Sequence, residues 1–268
     1  LALKLRSAPI TNGILVFPNR NREIEKFKKI LTFNWPKELF KEYFSKKYSE
    51  FEIIHKFSSS GIVDTKKFLK KLSKEVEFIS NFEVYRVLEN NSKKQIISKN
   101  GKLLNAKTIV WANGYENKNI NLRKINIPVS GQVTYLKENK IFSNSKLNYS
   151  YGNTFSQAFK GIHQIGSTFT TDLSNKKDVY NEINIKNILP FLKEQFQNKF
   201  EIKGSRDSVR SSTSNRLPYF GSLHTNNEFF IGGMGAWGYT YAPFLAELMV
   251  RKIIMEPMIV EQNILKIL

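Results

Sequence analysis

Apolar and polar positions change their period repeatedly along the chain, and each change marks an element. Gly13-Ile-Leu-Val-Phe-Pro18 is a short apolar run after a turn, and it predicts a strand. Apolar positions Ile24, Phe27, Ile30 and Leu31 then follow helical spacing and predict a helix over 23–31. Pro36 stands ahead of a second helical stretch, expected over 37–44. After an extended piece at 51–57, Ser58-Ser-Ser-Gly61 marks a loop, and Asp64 or Thr65 caps a helix reaching Leu72. Short β-rich runs follow at 76–79, 83–88, 94–98 and 107–111. Asn90-Asn91 and Asn100-Gly101 punctuate them, the latter as a hairpin signal. Further strands are expected at 132–136 and 163–169, and a helix at 184–196. The tail reads as a polar loop over 204–222, a strand at 228–231, a glycine loop, and a helix from Ala242 to Met255.

Helices thus alternate with meanders throughout, which predicts an α/β (α+β) fold. The β segments do not cluster along the chain. The expected organisation is two interleaved domains, one built from 1–54 and 125–204, the other from 55–124 and 205–268.

Composition narrows the chemistry. The 268 residues include no cysteine, which excludes disulfides, thiolate metal sites and cysteine nucleophiles. Only three histidines occur, His55, His163 and His224, and no two have metal-ligand spacing, so no metal is expected. No apolar run approaches the roughly 18 residues of a membrane span, and a cytoplasmic protein without membrane contact is expected. The start, Leu1-Ala-Leu-Lys-Leu-Arg, reads as a cut edge. A net charge of +19 favours anionic partners such as nucleic acid, although a solvated lysine surface from AT-biased coding gives the same number. Lysines crowd the front part at Lys66, Lys67, Lys70, Lys71 and Lys74, whereas Ser211 to Val250 holds a single basic residue, Arg216.

The sharpest local signal lies in that uncharged tail. Gly233-x-Gly235-x-x-Gly238 sits between a strand and a helix, where glycines allow close ligand approach and a helix N-terminus favours negative charge. It does not make a dinucleotide fingerprint, for no βα unit follows it. A glycine-rich turn ahead of a core helix is the alternative reading. The second signal is Val209-Arg-Ser-Ser-Thr-Ser-Asn-Arg-Leu-Pro-Tyr-Phe-Gly221, in which Arg210 is either a surface charge or a bidentate clamp for a carboxylate.

An arginine loop, Leu217-Pro-x-x-Gly221, a strand, the glycine loop and an Ala242-Pro243 helix start together resemble the C-terminal half of the glycine/D-amino-acid oxidase (DAO) superfamily. Within it the chain is most similar to the oxidoreductase domain of bifunctional tRNA wobble-uridine modification enzymes. Gly13-Ile-Leu-Val-Phe-Pro, Gly61-Ile-Val-Asp-Thr, Thr108-Ile-Val-Trp-Ala-Asn-Gly114, Ser130-Gly-Gln-Val133, Ile165-Gly-Ser-Thr168 and Glu256-Pro-Met258 extend the resemblance over nearly the whole chain.

The resemblance implies an FAD-binding domain interleaved with an antiparallel substrate domain. It implies that Gly114, Gly233, Met234, Gly235, Trp237 and Gly238 line FAD, with Val84 beside the adenine. Arg210 would hold the substrate carboxylate, and Tyr151 would line the substrate pocket. No side-chain acid or base is named. The implied reaction removes a carboxymethyl group oxidatively from a modified tRNA wobble uridine. The rival readings are oxidation of a free small amino acid or secondary amine, and a noncatalytic basic RNA-binding remnant. Three departures stand out. Asn215 replaces the family's aspartate, Trp237 replaces its glycine-loop arginine, and the N-terminal glycine fingerprint that grips the FAD pyrophosphate does not precede Leu1.

Overall fold

The computed structural model describes residues 13–18, 21–31, 40–42, 46–49, 51–58, 60–90, 93–116, 126–139, 147–156, 158–171, 183–185, 201–223 and 227–255. The chain divides into two compact units. The first comprises 1–77, 131–169 and 174–207, and the second 78–130, 170–173 and 208–268.

The first unit holds most of an eight-stranded sheet: β1 (Ile14–Val16), β2 (Phe40–Glu42), β3 (His55–Phe57), β8 (Ile127–Lys137, from Gly131), β9 (Asn148–Tyr151), β10 (Asn153–Phe155), β11 (Ile162–Gly166) and β12 (Ile202–Ser212, as far as Asp207). Their order is β12-β8-β11-β10-β9-β1-β3-β2. Strand β1 runs parallel to β9, with Leu15 opposite Tyr149, and the pairs β1–β3, β2–β3, β9–β10, β10–β11 and β8–β11 are antiparallel. Alternation directs Leu15, Phe17, Leu136, Tyr149, Phe155 and Ile165 into one core with Tyr48 and Ile54. Helix α1 (Asn21–Leu31) carries Glu23 in its first turn and Lys28 and Lys29 in its last, matching the helix dipole. In α2 (Thr65–Leu72), the Asp64 carboxylate accepts the Lys67 amide at 3.1 Å and Phe68 is the buried residue.

Among the described residues, the second unit holds two three-stranded sheets and one long helix. One sheet is the meander β4 (Val84–Asn90), β5 (Lys93–Ser98) and β6 (Leu103–Ala106). The other is ordered β13 (Tyr219–Ser222), β14 (Glu228–Gly232), β7 (Ile109–Trp111), with β14 and β7 parallel. Helix α3 (Gly238–Ile253) sets Leu245, Leu248 and Met249 at i, i+3, i+4 against Phe220, Phe229 and Ile231.

The mixed α/β class agrees with the sequence, as do α1, α2 and the expected hairpin at Asn100-Gly101, which joins β5 to β6. Four local expectations are corrected. Residues 40–42 form a strand paired with β3, not part of a helix, because a short apolar run does not by its period distinguish the two. Residues 76–79 form no strand, and Phe78 is 85% exposed. The segment 204–222 is not a loop: β12 and β13 occupy most of it. Helix α3 begins at Gly238, four residues before Ala242, with Pro243 inside it. Of the expected helix 184–196, residues 184–185 are helical and the remainder lies outside the described residues, as does Glu256-Pro-Met258.

Candidate functional site

Three segments of the second unit converge through one serine. Strand β7 runs into Gly114, whose φ of +62° starts a 3-10 turn over Gly114–Glu116. The Gly114 carbonyl accepts from Asn126 Nδ2 at 3.0 Å. Ser211 Oγ, on β12, donates to Asn126 Oδ1 at 2.6 Å and accepts the Gly233 amide at 3.1 Å. One hydroxyl therefore couples the Gly114 turn to the Gly233 loop.

The Gly233 loop is held from beneath. At φ +69°, Gly233 packs so closely that a Cβ there would lie 2.7 Å from the Tyr219 ring and 2.8 Å from Thr213 Cγ2. Burial raises the Tyr219 phenol above its ordinary pKa, with a hydrogen bond to Ser211 acting the other way. Thr213 belongs to a turn closed by Asn215, whose Oδ1 accepts from Leu217 N at 3.1 Å and Thr213 Oγ1 at 2.9 Å. Those bonds need only a carbonyl oxygen, so asparagine serves this turn as aspartate would.

Beyond Gly233, Met234 leads into a 3-10 turn, Gly235–Trp237, in which the Trp237 amide donates to the Met234 carbonyl at 2.9 Å. Trp237 is 61% exposed. Helix α3 starts immediately after, and no side chain caps its N-terminus. Its first amides and its dipole are thus directed at whatever approaches Gly238, beside which a Cβ would meet nothing within 4 Å.

Arg210 lies one residue from Ser211 and two from Ser212. The alternation of β12 puts Arg210 and Ser212 on the same face, about 7 Å apart along the strand. Ser212 Oγ lies 3.4 Å from the position of a Cβ on Gly235, so the glycine loop reaches the Arg210 face at Gly235 as it reaches the opposite face through Ser211 at Gly233. Arg210 is half-buried, and burial draws its guanidinium pKa below the ordinary value. An incoming carboxylate would offset that desolvation.

Val84 belongs to a different feature. With Phe82, Arg86, Trp111, Asn113 and Glu228 it lines a cleft of about 500 Å³ in the same unit. One wall is braced by an ion pair. Lys94, 3% exposed, lies 3.3 Å from Glu228 and 3.3 Å from Glu89, and Glu228 also accepts from Trp111 Nε1 at 3.0 Å. Tyr151 lies in the first unit, half-buried against the aromatic core, its ring 6.0 Å from that of Phe51 in edge contact.

Residues 37–252 match the family model for FAD dependent oxidoreductases (DAO), most of the chain. The chain belongs to the DAO family of FAD-dependent oxidoreductases. Its relatives include the tRNA 5-methylaminomethyl-2-thiouridine biosynthesis bifunctional proteins of Campylobacter concisus and Idiomarina loihiensis. The first is 28% identical over 79% of this chain and 36% of its own length. The second is 26% identical over 58% of this chain and 26% of its own length. The chain thus spans about a quarter to a third of these relatives. Glycine oxidase from Geobacillus kaustophilus shares the fold, with a TM-score of 0.74 at 14% identity over 97% of this chain and 77% of that one.

The cofactor of the DAO family is FAD. The second unit suits it: an uncapped α3 N-terminus adjoins a loop in which Gly233 and Gly235 both have positive φ. Such a surface favours a flat ring system that gains negative charge on reduction.

Sequence motifs pointed to Arg210 and the glycines. They did not reveal Asn126, Ser211, Lys94 or Glu228 as members of the site. Ser211 carried one usable signal, its place beside Arg210, which strand alternation would have turned toward the opposite face.

Proposed function

We propose that this chain forms part of an enzyme that oxidatively removes the carboxymethyl group from a 5-carboxymethylaminomethyl uridine of tRNA. The products are an aminomethyl uridine and glyoxylate. The feature that supports the reading is Arg210 on a strand face that the glycine loop reaches at Gly235, ahead of the uncapped helix α3. The tRNA part rests on the relatives named for tRNA 5-methylaminomethyl-2-thiouridine biosynthesis and on the net charge of +19.

In this reading Gly114, Gly233, Met234, Gly235, Trp237 and Gly238 hold the cofactor, and Val84 lies beside its adenine. When bound, FAD supplies the two-electron oxidant. Arg210 binds the substrate carboxylate and so fixes the methylene between carboxylate and amine. A C–H bond of that methylene breaks with loss of hydride, the carbon–nitrogen bond becomes an imine, and water cleaves the imine to glyoxylate and the primary amine. The α3 N-terminus stabilises the negative charge that arrives with the electrons. Tyr151 borders the substrate pocket, and no side-chain acid or base is required.

The test is glyoxylate release from tRNA bearing the modified uridine by the flavin-loaded enzyme. Arg210→Ala is expected to lower kcat/KM about 30- to 1,000-fold, equivalent to about 2 to 4 kcal/mol, with flavin content unchanged. Full flavin loading without glyoxylate release would sink the tRNA reading and favour a free amine or amino acid as substrate.

A further inference from the structure

A second basic feature lies in the first unit, remote in sequence from every residue assigned to the flavin. A groove of about 450 Å³ opens where the start of α2 adjoins the outer face of β8 and β11. Its floor includes Tyr135, paired with Gln164, and these positions alternate with the core residues Leu136 and Ile165. Its rim gathers cations from three separate segments: Lys66 on α2, Lys160 in the turn before β11, and Lys203 and Arg206 on β12.

Two carboxylates near these cations are engaged within the fold. Asp64 caps α2 through the Lys67 amide. Glu201 pairs with Lys137 and Lys203, which hold its carboxyl below the ordinary range. Lys66, Lys160 and Arg206 have no carboxylate partner among the described residues. Lys160 instead lies 5.2 Å above the Phe159 ring, and that ring is 39% exposed at the groove edge. Cations spaced along a groove with an exposed aromatic ring match a phosphodiester chain, where phosphates meet Lys and Arg and a base stacks on the ring. A single small anion would leave most of these cations unused.

We infer that this groove is a docking surface for the sugar-phosphate backbone of RNA. The inference rests on the tRNA reading above and adds the place where the polymer is gripped. Its cations lie at positions 66, 160, 203 and 206, so the groove exists only in the folded chain. The expected contacts are to phosphate, and binding through them does not depend on base sequence.

The test uses the holoenzyme, an unmodified tRNA transcript, and anisotropy measured from about 50 to about 200 mM salt. Lys160→Ala/Lys203→Ala/Arg206→Ala is expected to weaken binding about tenfold or more at low salt. The slope of log affinity against log salt should fall by about 2 to 3. Lys160→Arg/Lys203→Arg/Arg206→Lys should bind like the parent. Lys93→Ala/Lys102→Ala/Lys107→Ala removes the same charge elsewhere and should change the slope far less. Flavin content and turnover of a free small secondary amine report whether each variant is intact. If the parent binds tRNA and the first variant binds equally well with an equal slope, the groove is overturned and the tRNA reading stands. If the parent does not bind tRNA at low salt, both fall together.

Discussion

Replacing Gly233 by alanine tests whether the glycine loop is built for its conformation. The position has φ +69°, where an L-residue costs about 1 kcal/mol or slightly more. The new methyl would also lie 2.7 Å from the Tyr219 ring and 2.8 Å from Thr213. Neither neighbour yields easily. Tyr219 stands on β13 beneath the loop, and Thr213 is tied by its hydroxyl to the Leu217 carbonyl at 2.8 Å. Overpacking of this kind costs about 1 to 3 kcal/mol, so the total is about 2 to 4 kcal/mol. With a urea dependence of about 2 to 3 kcal/mol per M, the unfolding midpoint of the apoprotein should fall by about 1 M. Gly238→Ala is the matched control. Its φ is −52° and a Cβ there meets nothing within 4 Å, so stability should hold or rise by about a few tenths of a kcal/mol. Flavin titration then separates the two roles, because Gly238→Ala should weaken FAD binding although the fold is intact. A Gly233→Ala midpoint within about 0.2 M of the parent would refute the strain argument.

Other outcomes follow from buried charge. Lys94→Ala strands the Glu228 carboxylate, itself 10% exposed, and should cost about 3 to 5 kcal/mol in urea unfolding. Lys94→Met with Glu228→Gln should recover most of that loss, and a double variant as unstable as Lys94→Ala would contradict the stranded-charge account. Burial lowers the His55 pKa to about 4 and also lowers that of His163. The unfolded chain therefore takes up protons below about pH 6.5 that the folded chain refuses. Stability is full above that pH and should fall as pH drops from about 6.5 toward 4, by about 1.4 kcal/mol per pH unit for each histidine within its own window. Urea midpoints unchanged between about pH 7 and 5 would remove both histidines from the argument.

The sequence was readable where local chemistry and periodicity agreed. Asp64 ahead of Thr65–Leu72 is a cap followed by an amphipathic turn, and the structure contains both. Strand β12 failed that test because Ile202 and Val209 are its only apolar members; pairing in the sheet, not an apolar stripe, fixes it as a strand. The same division runs through the site. Gly233, Gly235 and Arg210 are visible in a window of short motifs. The Ser211–Asn126 bond spans 85 residues and the Trp111–Glu228 bond spans 117. Such pairings depend on which strands become neighbours, and that information is distributed over the whole chain.

The parallel pairing of β1 with β9 sets a timetable for synthesis. Leu15 is fully buried, and its partner across the sheet is Tyr149, which is translated 134 residues later. At about 5 to 20 residues per second, β1 leaves the ribosome roughly ten seconds or more before the strand that covers it. Through that interval Leu15 and Phe17 have no finished core to enter. A strand that apolar and that far ahead of its partner is expected to be held by nascent-chain chaperones until β9 arrives, and slowing translation between residues 57 and 148 should lengthen its exposure more than slowing it anywhere after Tyr149.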